Sequence, residues 1–126
     1  MPVDPGEGTL PELVVYGILE GMGYKVGVDF TFQSAKYGGR LDRGGLVIDF
    51  LFNNPPGLAI NPLGEYFHYQ LRGGTRAEDL MERELLESDG ITLIFIDEGD
   101  LMGPRARWFV EEALRFRDHS KLARGD

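Results

Sequence analysis

The stretch from residue 46 to 70 constrains the fold most. "LVIDFLFN" and "LAINPLGEYFHYQ" are both rich in β-branched, aromatic and other apolar residues, and only Asn54, Pro55, Pro56 and Gly57 separate them. So short a connection cannot cross a sheet to start a parallel strand, which takes a dozen residues or more. The two runs are therefore expected to pair antiparallel. The second is expected to be bulged or broken at Pro62 and Gly64. Inside the first stands Asp49, between Ile48 and Phe50. A carboxylate among apolar neighbours is costly to bury unless it is hydrogen-bonded or paired, so it calls for a reason.

The flanking segments supply helices. "TLPELVVYGILEGMG" opens on a capping box, Thr9 with Glu12, and tolerates a proline in its first turn. Leu10, Leu13, Val14, Gly17, Ile18 and Met22 recur at helical spacing, and Gly21 or Gly23 ends the helix. "YKVGVDFTFQ" alternates like a strand, and the Gly-rich "SAKYGGRLDRGG" connects it to the next. "TRAEDLMERELLESDG" is a second capped helix (Thr75 to Glu78), closed by Gly90. "ITLIFID" is a short buried strand, and "GPRARWFVEEALRFRDHS" is a helix started by Pro104, with Ala106, Phe109, Val110 and Ala113 as its buried stripe. The order is helix, three strands, helix, strand, helix. It predicts an antiparallel meander with a last strand returned parallel by a helical crossover. The fold class is an α/β sandwich, a mixed four-stranded sheet with helices on both faces. Val47, Ile48, Phe50, Leu58, Ile60, Leu93 and Phe95 are the expected core.

At 126 residues the chain is expected to form one domain over 1–126, with an extended lead-in at 1–8 and a C-terminal helix in 103–126. There is no cysteine, which removes disulfides and thiolate metal sites and is compatible with a reducing cytoplasm, the expected location. No apolar run approaches the roughly 18 residues that cross a bilayer, so no membrane role is expected. The net charge of −8 argues against a surface coated for nucleic acid. The charge is uneven, however. Residues 1–102 hold 7 basic and 17 acidic side chains, and residues 103–126 hold 6 and 4. Lys36, Arg40 and Arg43 form a second local excess around Asp42. Any DNA contact would be local, through such patches; the plain alternative is solvated surface charge.

The order of elements, with an aspartate late in the second strand, resembles the PD-(D/E)XK, or restriction-endonuclease-like, nucleases. Within them it is most similar to small phage-type and very-short-patch-repair-like domains. The matching pieces are "PELVVYGILEGMGYKV", "FQSAKYGGRLDRGGLVIDFL", "LAINPLGEYFHY" and "RAEDLMERELLESDGITLIFIDEGDL", all within residues 9–102. The resemblance implies an αβββαβ core with a further helix and a Mg²⁺- or Mn²⁺-dependent DNA endonuclease or resolvase of phage origin, located in the host cytoplasm or the virion. In such a site a hard cation activates water and neutralises charge on the phosphate. The resemblance also implies an Asp ending the second strand, an acid on the third, and a Lys two positions later. Asp49 matches the first, whereas the other two positions hold Asn61 and Leu63.

Two of three expected groups are thus replaced. Glu65 and His68 are the neighbours from which a site would be rebuilt: Glu65 shares a face with Asn61 in a regular strand, and His68 turns inward if the strand is bulged. On that reading Asp49, Asn61, Glu65 and His68 are catalytic, Asp49, Asn61 and Glu65 hold the metal, and Lys36, Arg40 and Arg43 touch DNA. Lys36 is also the candidate to replace the missing lysine, and Glu12 is a further acid the resemblance places near such sites. Each has a plainer explanation: Asp49 as a bonded core acid, Glu12 as a helix cap, His68 as a sheet histidine, Lys36 as a solvated loop residue. The alternative function is a catalytically inactive relative that serves as a structural or protein-binding module. A Cys–His site is excluded, a zinc site is poorly supplied by His68 and His119, and neither a P-loop, a Rossmann fingerprint nor a calcium loop is present.

Overall fold

The computed structural model describes residues 10–34, 48–63 and 83–124. The elements run α1 (Leu10–Gly21), β1 (Phe30–Ser34), β2 (Ile48–Phe52), β3 (Leu58–Leu63), α2 (helical at 83–88), β4 (Thr92–Asp97), α3 (Glu98–Leu101), α4 (Ala106–Leu114) and α5 (Lys121–Arg124). The strands form one sheet in the order β1-β2-β3-β4. β1 pairs antiparallel with β2, β2 antiparallel with β3, and β3 parallel with β4. The hairpin and the parallel return are as the connection lengths predict. The molecule is α/β, with a mixed four-stranded sheet.

Alternation divides the strand side chains between two cores. Phe30 and Phe32 of β1 face Phe52 and Phe50 of β2 across the ladder, and the Phe32 and Phe50 rings stack at 4.8 Å. With Leu58, Ile60, Ile94 and Ile96 they are covered by Val15, Tyr16 and Leu19 of α1, Leu101 of α3, and Val110 and Ala113 of α4. The opposite face presents Ala59, Leu63, Leu93 and Phe95 with Ile48, closed by Leu86 of α2 and Leu122 of α5. Helices therefore cover both faces. Of the expected core, Ile48, Phe50, Leu58, Ile60, Leu93 and Phe95 are buried, and Val47 lies outside the described residues.

Helix ends follow local chemistry. Gly23 (φ 94°) closes α1 and Gly90 (φ 80°) closes α2. In each, the amide that follows the glycine, Tyr24 or Ile91, reaches back to a carbonyl five residues earlier, Leu19 or Leu86. The helix expected across 103–126 is instead two, α4 and α5. Phe116 takes φ 65° while Arg117 N–H returns to Glu112 O, the same closure with phenylalanine where glycine is cheapest. That backbone conformation costs an L-residue about 1 kcal/mol. The strand expected from Tyr24 also starts late, at Phe30. Asp29 Oδ2 accepts from Lys25 N–H at 2.7 Å and folds the intervening residues into a turn around Gly27.

Candidate functional site

Neighbouring strands hold Asp49 and Asn61 against each other. The β2–β3 register runs Leu51↔Ala59 and Phe50↔Ile60. One step further it brings Asp49 opposite Asn61, and there the backbone N–H of Asp49 donates to Asn61 Oδ1 at 2.8 Å. Pro62, the next residue of β3, has no N–H to offer a ladder. The side-chain amide of Asn61 supplies the acceptor at the point where backbone pairing gives out. Alternation puts Asn61 with Ala59 and Leu63 on the α2–α5 face of the sheet. At the start of β2 it breaks, since Ile48 packs on that face while Phe50 and Phe52 pack on the other. Asn61 is buried and Asp49 half-buried.

Leu63, where the resemblance expects a lysine, is 3% exposed and belongs to the apolar cluster beneath α2 and α5. Its partner across the parallel ladder is Asp97, also buried, whose Oδ2 accepts from Lys121 N–H at the start of α5 at 2.9 Å. Asp97 is a polar residue of this face that sequence reasoning passed over. Its only signal was an acid ending an otherwise apolar strand. Glu12 is buried on α1. Glu65, His68, Lys36, Arg40 and Arg43 lie outside the described residues.

The fit to a hard cation can be tested on the described donors. Mg²⁺ wants near-octahedral oxygen ligands with carboxylate charge among them. Asp49 brings one carboxylate, and the Asn61 oxygen is neutral and already accepts a hydrogen bond. Among the described residues, no group of three His, Asp or Glu is placed to hold a metal ion. Asp49 and Asn61 do not by themselves make a magnesium site.

A second polar constellation gathers where α4 leads into α5. Glu112 is buried and accepts from Arg117 Nη1 at 3.1 Å, lies 3.0 Å from His119 Nε2 and 3.6 Å from Arg115 Nη1. Hydrogen bonding to His119, assisted by Arg117, holds its carboxyl below the ordinary value of 4.5, although burial pushes it upward. A carboxyl with a depressed folded pKa stabilises the fold above its unfolded value and loses that contribution as pH falls through the folded one. Urea midpoints should therefore decline below pH 4.5, and Glu112→Gln should flatten that acid limb. An unchanged limb would remove Glu112 as its source. Nearby, Asp118 Oδ2 accepts from Phe95 N–H of β4 at 2.9 Å and from Arg83 at 3.4 Å, while Oδ1 accepts from Ser120 N–H at 2.9 Å and from its hydroxyl. The crease lined by Phe95, Ile96, Asp100, Phe109, Arg117, His119 and Ser120 is shallow.

No protein-family model matches the chain, and no curated protein or solved structure shows significant similarity to it. Among the described residues no helix is long and apolar enough to cross a membrane.

Proposed function

We propose that the chain is a PD-(D/E)XK-like domain with a degenerate third-strand site, acting as a binding or structural module rather than a hydrolase. The order of its elements supports this: a helix, a three-stranded antiparallel meander, a crossover and a parallel fourth strand. The observation that carries the reading is the bond from Asp49 N–H to Asn61 Oδ1, with Leu63 buried two residues on. The third-strand amide ties two strands together, and an apolar side chain fills the place of the cation. A group that positions water or stabilises charge in the transition state contributes about 10²-fold or more to rate, so losing both leaves little. DNA, met through local basic patches, or a protein is the expected partner.

One observation favours the second reading, a metal-dependent endonuclease. Asp49 lies directly beside the third-strand position, although it is the second residue of β2 and not its last, where the resemblance expects it. Glu65 and His68 would then complete the site, with Asn61 as a neutral ligand. Assays on single-stranded, duplex and branched DNA with Mg²⁺ or Mn²⁺ separate the two. The expected result is no metal-dependent cleavage. Robust cleavage abolished by Asp49→Ala would overturn the degenerate reading and establish a rebuilt active site.

A further inference from the structure

The outer face of α4 and the turn that closes it collect aromatic and cationic surface in an acidic chain. The exposed Arg105 lays its guanidinium over the Trp108 ring at 4.3 Å, and the same indole meets the His119 ring at 4.9 Å. Helical spacing puts Trp108, Glu111 and Arg115 on one stripe, with Arg107 beside it. The side chains of Arg107, Arg115 and Arg117 are 65%, 68% and 60% exposed. Between the last two stands Phe116, its ring exposed and its backbone in the left-handed region. Two acids of this surface pair with its own arginines. Glu112 is buried beneath Arg115, Arg117 and His119, and Glu111 pairs with Arg107. More distant carboxylates are screened beyond about 8 Å at physiological salt.

We propose that this surface binds single-stranded nucleic acid. Phosphates meet Arg107, Arg115 and Arg117, while bases stack on the Arg105–Trp108 platform and on Phe116. Flat aromatic and guanidinium faces suit bases that are free of a duplex, and the arginines suit the backbone that links them. An acidic peptide would use the cations alone and leave the aromatic faces without a role. Phe116 is the telling residue: its left-handed backbone favours glycine, yet the chain keeps there a 41%-exposed ring between two arginines. α4 packs through Val110 and Ala113 on the face opposite Ala59 and Leu63, the β3 neighbours of Asn61, so the inference stands apart from the nuclease reading.

Trp108 is the sole tryptophan, so its fluorescence reports on the surface directly. Titration of the full chain with a short oligo-dT in EDTA should quench it saturably. For three phosphate contacts, log affinity should fall against log salt with a slope of about −2. Labelled-oligonucleotide anisotropy should show at least tenfold weaker binding for Trp108→Ala and for Arg115→Gln with Arg117→Gln. Phe116→Gly should leave the fold intact by circular dichroism yet weaken binding several-fold, a combination that a purely structural residue would not give. Glu87→Gln, an exposed change on α2, should bind as the parent does, and the EDTA separates this binding from any metal-dependent cleavage. Absence of quenching overturns the proposal, as does binding that the α4 variants leave intact. Equal competition by poly-glutamate would also overturn it, reassigning the surface to acidic proteins.

Discussion

Asn61→Glu with Leu63→Lys, the pair that writes the missing acid and cation back into the third strand, should unfold the protein rather than activate it. Leu63 is 3% exposed, in a cluster with Ala59, Leu86, Leu93, Phe95 and Leu122. Removing its apolar surface from the core forfeits about 2 kcal/mol of burial. Placing an ammonium there adds several kcal/mol more unless it is paired, and the nearest candidate, Asp97, already accepts from Lys121 N–H. The substitution at residue 61 also removes the amide that accepts from Asp49 N–H and puts a longer, charged side chain beside Asp49. A total loss above about 4 kcal/mol is a large share of a domain's usual 5–15 kcal/mol. Urea unfolding should show it, with Leu63→Ala as a milder comparison at about 2–4 kcal/mol. A double variant that keeps its stability within about 1 kcal/mol and gains metal-dependent cleavage would mean that Leu63 marks a catalytic position and not a packing one.

The elements were legible because each is written in local chemistry. The apolar period of Phe50 and Phe52 names its own face, and the four residues between the middle runs allow only a hairpin. On α1 the expected stripe was offset, since Val15, Tyr16 and Leu19 are buried while Val14, Ile18 and Met22 only flank them and Leu10 is exposed. Gly23 and Gly90 mark helix ends for the same reason. The end of α4 was not legible, because phenylalanine is a poor sign of a left-handed residue, and the helical pattern read straight through Phe116. At the candidate site Asp49 and Asn61, which only the resemblance had paired, lie side by side on neighbouring strands. Sequence did not reveal that the Asn61 oxygen is spent on the Asp49 backbone, because Asn61 as a ligand and Asn61 as a strand tie have the same sequence signature. Nor did it find Asp97 and Asp118, whose partners are backbone amides of Lys121 and Phe95, more than twenty residues away in the chain. Side-chain-to-backbone bonds of that range leave no spacing rule to read.

Asp118→Ala should destabilise the fold by about 2–4 kcal/mol and make it self-associate. β4 is the last strand of the sheet, and Phe95, 1% exposed, directs its amide to Asp118 instead of to another strand. Without the carboxylate that N–H is left bare, which alone costs about 1–3 kcal/mol. The loss continues along the chain. Asp118 Oδ1 holds Ser120 by its amide and hydroxyl, Ser120 Oγ in turn accepts from Ala123 N–H in the first turn of α5, and α5 carries Leu122 into the core. Asp118→Asn should do nearly as badly. Both carboxylate oxygens receive donors, so one face of an amide would turn an N–H₂ toward another N–H. With the clasp gone, the β4 edge becomes a template for a second chain. The measurement is a urea midpoint for each variant together with sedimentation at rising concentration. If Asp118→Asn keeps the parent midpoint and both variants stay monomeric, the carboxylate is not the group that closes this edge.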